Sequence, residues 1–226
     1  MMRIEREERV AGEVEDAALA RKGSPNACVA SCPTALVRVL RLDMGLAVWQ
    51  RCLDDVLVAE LERLMLDTVD DIMFMSGSDA VDAALAGAME EGGYPDMPAF
   101  RRDVAMLADR HAAVSGDRNV RIRLEVVETD ACRKFHADHV TLRTITSYLG
   151  QGTQWIDAGI DAASANRADP VGGPAMRQLG TGDVGMFKGR LWQAAPTILH
   201  RSPPIAGSGE QRLILAIDPA PMGSTP

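Results

Sequence analysis

Cysteine is scarce in this chain, and the four present, Cys28, Cys32, Cys52 and Cys132, are too scattered to form a disulfide framework. Cys28 and Cys32 form one pair ahead of Pro33, but no second pair completes a zinc ligand set, so they read as separate packed or loop residues. Cys52 reads as a core residue. Positive charge is also short: a net charge of −8 and an isoelectric point near 5.0 argue against a nucleic-acid surface, which needs a basic footprint. No apolar run approaches the ~20 residues that a membrane-spanning helix requires. Residues 1–23 are dense in Arg and Glu where a secretory signal would carry an apolar core, so a cytoplasmic protein is expected. Aromatic residues are sparse at 4%, and no internal repeat or low-complexity block occurs. What remains is ordinary for a globular chain, 46% apolar and 25% charged, enough for one good core.

The pattern divides the chain into three stretches. Residues 1–27 mix charge with alanine and end in Lys22-Gly23-Ser24-Pro25-Asn26, so a frayed or disordered arm is expected. Residues 28–118 read as mainly helical. Apolar runs at 36–42 and 46–49, split by Asp43-Met44-Gly45, suggest a hairpin first. Asp54 or Asp55 then caps a helix with Val56, Leu57, Leu61, Leu64 and Met65 at helical spacing. Ser78 or Asp79 starts a second, with Val81, Leu85 and Met89 inward and Gly92-Gly93 at its end. Pro98 opens a third, carrying Phe100, Val104, Leu107 and His111 on one face; His111 reads as a structural core residue.

From Asn119 the period changes to alternation. Ile122, Leu124 and Val126 face one way while Arg121, Arg123 and Glu125 face the other, which marks a β-rich part over residues 119–226 that forms one compact unit with 28–118. A strand is expected over 140–149, closed by Gly150-Gln151-Gly152. A loop rich in Ala, Gly, Asp and Pro follows over 161–180, crossing near the site mouth, and Gly182-Asp183 turns into a core strand at 184–187 with Lys188 facing solvent. Trp155 reads as a core or pocket-wall residue.

Histidine is scarce as well: of four, three fall at His136, His139 and His200. His136, Asp138 and His200 make up a His-x-Asp…His set, the ligand list of a two-histidine, one-carboxylate metal site. Such a set occupies one face of an octahedral metal and leaves up to three positions for other ligands. In an extended strand residues two apart share a face, so His136 and Asp138 point together, His139 points away, and Cys132 and Lys134 lie on the ligand face. A bulge would bring His139 in. The same parity gives Tyr148 the face of the ligands and Arg143 the opposite one; both are candidate anion contacts. Arg212, opening an apolar strand after His200, is suited to grip a carboxylate through two parallel hydrogen bonds.

The order His136-x-Asp138, His200, Arg212 resembles the iron(II)/2-oxoglutarate-dependent oxygenases of the double-stranded β-helix fold. That resemblance covers about residues 119–218 and implies metal ligation by the two histidines and the aspartate, with Arg212 on the 2-oxoglutarate carboxylate. A nearer resemblance is to a bacterial domain-of-unknown-function family carrying Phe135-His136-x-Asp138-x-Val140-x-x-Arg143, Gly150-x-Gly152-Thr153-x-Trp155, Gly182-Asp183-Val184-x-x-Phe187-Lys188-Gly189 and His200-Arg201-Ser202-Pro203-Pro204. Members of that family look like zinc-homeostasis accessories, often associated with GTPase metallochaperones.

These readings give an α+β fold, with N-terminal helices packed on a C-terminal jelly-roll or double-stranded β-helix, cupin-like core. The expected function is a metal-dependent, oxygenase-like protein, iron(II) favoured and zinc the alternative. It would use 2-oxoglutarate to hydroxylate a small molecule or a protein side chain, with no nucleic-acid or membrane partner. The other reading is a non-catalytic zinc-binding accessory with a metallochaperone partner. There a Cys132 thiolate, with His136, His200 and either Asp138 or His139, would close a four-coordinate zinc set.

Overall fold

The alternation that starts at Asn119 becomes strand β4, Asn119–Val127, with Val120, Ile122 and Leu124 fully buried on one face. The structure, a computed structural model, describes residues 24–157, 166 and 176–221. Three strands precede β4: β1 (Ala27–Ala30), β2 (Leu46–Trp49) and β3 (Ile72–Gly77). Six follow it: β5 (Leu142–Leu149), β6 (Gln154–Asp157), β7 (Arg177–Gln178), β8 (Val184–Lys188), β9 (Ile198–Arg201) and β10 (Arg212–Pro219). They form a seven-stranded sheet in the order β1-β2-β8-β5-β10-β4-β3 and a small sheet in the order β7-β6-β9. A single antiparallel bridge from His136 to His200 adds the 136 segment beside β9. From β4 onward the chain therefore passes back and forth between the two sheets, which is the winding of a double-stranded β-helix.

Helices α1 (Asp55–Leu61), α2 (Val81–Glu91) and α3 (Pro98–Ser115) cover the outer face of the large sheet. The Asp54 carboxylate accepts the Leu57 N–H at 2.9 Å and so caps α1, satisfying one of the amides that a helix start leaves free. Pro98 opens α3. Its next two amides, of Ala99 and Phe100, donate to the buried Glu60 carboxylate at 3.0 and 2.8 Å. A carboxylate there also meets the positive end of the helix dipole. Leu57, Leu85, Phe100, Val104 and Leu107 pack against Leu124, Leu142, Tyr148, Leu213, Leu215 and Ile217 in one core. On the inner face Ile145, Phe187 and Ile214 meet Trp155 and Ile198 of the small sheet in a second.

Several expectations change here. The 36–42 run is not a strand: Pro33–Leu40 is a 3-10 helix burying Ala35, Leu36 and Val39, a spacing that matches a helical turn as well as a short apolar run. With no hairpin, β1 and β2 pair in parallel. Within 28–118, β1, β2 and β3 extend both edges of the large sheet. Cys52 is exposed. Lys188 is buried, with Nζ donating to the Arg41 carbonyl at 2.5 Å and lying over the Trp192 ring. His111 is a core residue, its Nδ1 2.9 Å from the Thr144 hydroxyl. Residues 1–23 and most of the 161–180 loop fall outside the described residues. No described helix is long and apolar enough to cross a membrane.

Candidate metal centre

His136 and His200 are held side by side by their own backbones, their rings tilted by 52°. The His136 N–H donates to the His200 carbonyl at 3.0 Å and the His200 N–H returns to His136 at 2.9 Å, which leaves the ring centroids 4.7 Å apart. The flanking chain fixes this bridge. Asn166 pairs with both backbone groups of Phe135, and the Asp130 carboxylate accepts the amides of Ile205 and Ala206, tying the turn before His136 to the loop after His200. Phe187 packs on His200 from the large sheet.

Asp138 reaches the same point from the irregular segment that follows. Its Oδ2 lies 3.0 Å from His200 Nε2 and its Oδ1 lies 3.6 Å from His136 Nε2. One ligand atom from each of the three residues falls within 4.8 Å of the other two. Gly189 makes room for this segment, because a Cβ there would strike the Val140 carbonyl and crowd that of Asp138. The Gly189, Arg190 and Leu191 amides then bond the carbonyls of Thr141, Asp138 and Val140. Gly189 was visible in the sequence as the end of the Gly182-to-Gly189 motif, though its use was not.

Bends at 139–141 separate the His-x-Asp segment from β5, and they reverse the parity expected for the next residues. Arg143 faces inward: Nη1 lies 2.5 Å from Asp138 Oδ1, while Nε and Nη2 take Asp218 at 2.6 and 2.9 Å. Tyr148 faces outward instead, against Phe100 in the helix-side core, and donates its hydroxyl to Asp103 at 2.6 Å. It does not join the site. Arg121 and Arg123 also lie against the fully buried Asp218, at 2.8 and 3.8 Å. Asp218 was not read from the sequence as a site neighbour; its signal was a lone carboxylate on the inward parity of the Leu213–Ile217 apolar strand.

Arg212 is fully buried on that inward face. Its Nε donates to the Gln151 carbonyl at 2.6 Å and its Nη2 to Ser147 Oγ at 3.3 Å, but Nη1 has no partner among the described residues. No carboxylate among the described residues pairs with it: Glu210 takes Gln151 and Asp218 takes Arg143. Gly150, at φ +72°, lets the strand end pass over Arg212, since a Cβ would lie 2.8 Å from its Cγ. Cys132 and His139 stand outside the three-residue group. The chain turns at Ala131-Cys132, with Cys132 at φ +57° and exposed; its carbonyl accepts the Ser202 amide.

The electrostatics are those of a site ready for a cation. Burial alone raises the Asp138 carboxyl, but His136, His200 and Arg143 outweigh it and hold it well below the usual carboxylate range. Burial lowers the His200 ring from its ordinary value, and the Asp138 carboxylate beside it moves His136 upward. His136 Nδ1 lies 2.7 Å from the Lys134 carbonyl, which only accepts; the proton therefore sits on Nδ1 and Nε2 presents a lone pair. Among the described residues nothing donates to Asp138 Oδ2, despite its nearness to His200. Two imidazoles and a carboxylate whose ligand atoms lie within 4.8 Å of one another fit a divalent metal. Arg212 fits a carboxylate, and burial lowers its guanidinium to about 10.

Fold and site together define a double-stranded β-helix protein with a His-Asp-His face. The chain belongs to the family described as "Protein of unknown function (DUF1826)", whose model matches residues 30–218. No curated protein matches it. Among solved structures it is similar to the rice dioxygenase for auxin oxidation, at 16% identity and a TM-score of 0.48, covering 88% of this chain and 84% of that one. It is also similar to the Arabidopsis thaliana enzyme of the same name, solved with 2-oxoglutarate, at 10% identity and a TM-score of 0.47, covering 90% and 95%. A Pseudomonas putida prolyl-4-hydroxylase matches at 14% identity and a TM-score of 0.42, covering 83% and 97%.

Proposed function

We propose that the protein is a metal-dependent oxygenase that uses iron(II) and 2-oxoglutarate to hydroxylate a small molecule or a protein side chain. The observation that carries this reading is Arg212: a fully buried guanidinium whose Nη1 has no partner, and which has no carboxylate of its own, among the described residues. A cation left so inside a core is costly unless a ligand completes it. It lies on the inward face of β10, within the same barrel as His136, Asp138 and His200. His136, Asp138 and His200 hold the metal through Nε2, a carboxylate oxygen and Nε2. Arg212 and Ser147 orient a dicarboxylate from the other side. Ile145, Phe187, Ile214 and Trp155 line the inner core and exclude water. Iron(II) with 2-oxoglutarate, when bound, would support C–H hydroxylation with dioxygen as the oxidant, one oxygen atom going to the substrate and the other to succinate as carbon dioxide leaves.

The test is metal analysis of protein isolated without added metal, with and without oxygen exclusion. It is followed by thermal unfolding of the iron(II)-loaded protein with millimolar 2-oxoglutarate. Iron retention and a raised melting temperature are expected. Zinc retention with no response to 2-oxoglutarate would instead favour a zinc-binding accessory role alongside a metallochaperone partner.

A further inference from the structure

Arg143 stands between two carboxylates, Asp218 on the neighbouring strand β10 and Asp138 in the irregular segment before β5, and touches both with different edges of its guanidinium. Nε and Nη2 form a two-point pair with Asp218 on β10, and Nη1 reaches Asp138 Oδ1 at 2.5 Å. Asp218 is itself fully buried and held from the far side by Arg121 on β4, its direct cross-strand neighbour. Four charged residues thus run in series, Arg121, Asp218, Arg143 and Asp138, across three adjacent strands and into the candidate metal centre.

We infer that Arg143 is a positioning residue that makes Asp138 a one-oxygen metal ligand, with Asp218 as its anchor; this rests on the metal reading above. The two oxygens of Asp138 are not equivalent. Oδ1 is taken by Arg143, whereas Oδ2 accepts no hydrogen bond among the described residues and lies 3.0 Å from His200 Nε2. A carboxylate free to rotate would chelate through both oxygens and close a position that a co-substrate needs, or swing Oδ1 toward His136 Nε2, now 3.6 Å away. With Oδ1 clamped, only Oδ2 is presented and three positions of an octahedral metal stay open. Arginine suits the task because its planar fork donates in fixed directions along two edges at once, and lysine, a point charge with one ammonium, cannot hold both carboxylates in that geometry.

The experiment adds Mn(II) to the metal-free full-length protein and measures affinity from free Mn(II) by electron paramagnetic resonance. Water-proton relaxation of the bound ion counts its open positions. Arg143→Lys keeps the charge, so a change reports geometry. We expect Arg143→Lys to weaken Mn(II) binding by about 10–100-fold, the range for a residue that orients a ligand, with fewer bound waters. Asp218→Asn is expected to weaken it in the same sense by less. The double variant is expected to be no weaker than Arg143→Lys, because the two act in series. Metal-free melting curves identify any variant that fails to fold, and Asp218→Asn carries the test if Arg143→Lys does not fold. Wild-type affinity and hydration in the folded variants, or additive losses, would overturn the assignment while the metal reading stands. A wild-type protein that binds no Mn(II) would overturn both.

Discussion

Arg212 donates through Nε to the carbonyl of Gln151, 2.6 Å away, a bond that aims its guanidinium between the two sheets and leaves Nη1 without an acceptor among the described residues. Backbone aims it, and a ligand is left to complete it. If that ligand is 2-oxoglutarate, wild-type protein loaded with iron(II) will melt roughly 5–10 °C higher at a hundred times the dissociation constant. Arg212→Ala is expected to remove this rise with no change in metal content, measured by differential scanning fluorimetry and elemental analysis.

His136→Ala and His200→Ala are each expected to remove most of the bound metal, since each takes away one of three protein donors. His139→Ala and Cys132→Ser should retain it, because both residues lie outside the group. Elemental analysis on the four variants distinguishes the sets. Metal retained in His136→Ala and His200→Ala would refute the centre.

The Tyr148 hydroxyl and Arg51 share Asp103, with contacts of 2.6 Å to each partner. Burial pushes the Tyr148 hydroxyl well above its ordinary value, so it stays protonated and donates. Asp103→Ala leaves a nearly buried guanidinium unpaired and is expected to cost about 3–5 kcal/mol. Tyr148→Phe removes one hydrogen bond and is expected to cost about 1–2 kcal/mol. Urea unfolding reads both, and metal affinity should be unchanged in Tyr148→Phe because it belongs to the helix-side core.

Burial lowers His111 to about 4, well under the ordinary histidine value of 6.5, so the unfolded chain takes up its proton first as pH falls. The stability this neutral ring contributes is complete above pH 6.5 and is lost progressively between 6.5 and about 4. The loss amounts to about 2 kcal/mol by pH 5, from 1.36 kcal/mol per unit. Urea midpoints at pH 7.5 and pH 5 should converge in His111→Gln relative to wild type. An equal pH loss in both would exclude His111 as the source.

Local chemistry in the sequence was enough to mark the helix starts at Asp54 and Pro98, the change of period at Asn119 and the order His136, Asp138, His200, Arg212. Caps act within one turn, alternation acts between residues two apart, and a ligand order is written in the chain itself. What depended on the tertiary structure was every assignment that crosses an irregular segment or joins distant strands. Bends at 139–141 break the parity count, so Arg143 turned toward Asp138 while Tyr148 turned to the helices. The partners of Asp218 come from β4 and β5, strands far apart in sequence, and only sheet register brings Arg121 opposite it. Lys188 follows an apolar strand as a surface residue would, yet the 3-10 helix end at Arg41 and the Trp192 ring cover it. A side chain's facing after a bend is set by backbone dihedrals that its neighbours' identities do not fix, and its partner is set by which strands the whole fold places side by side.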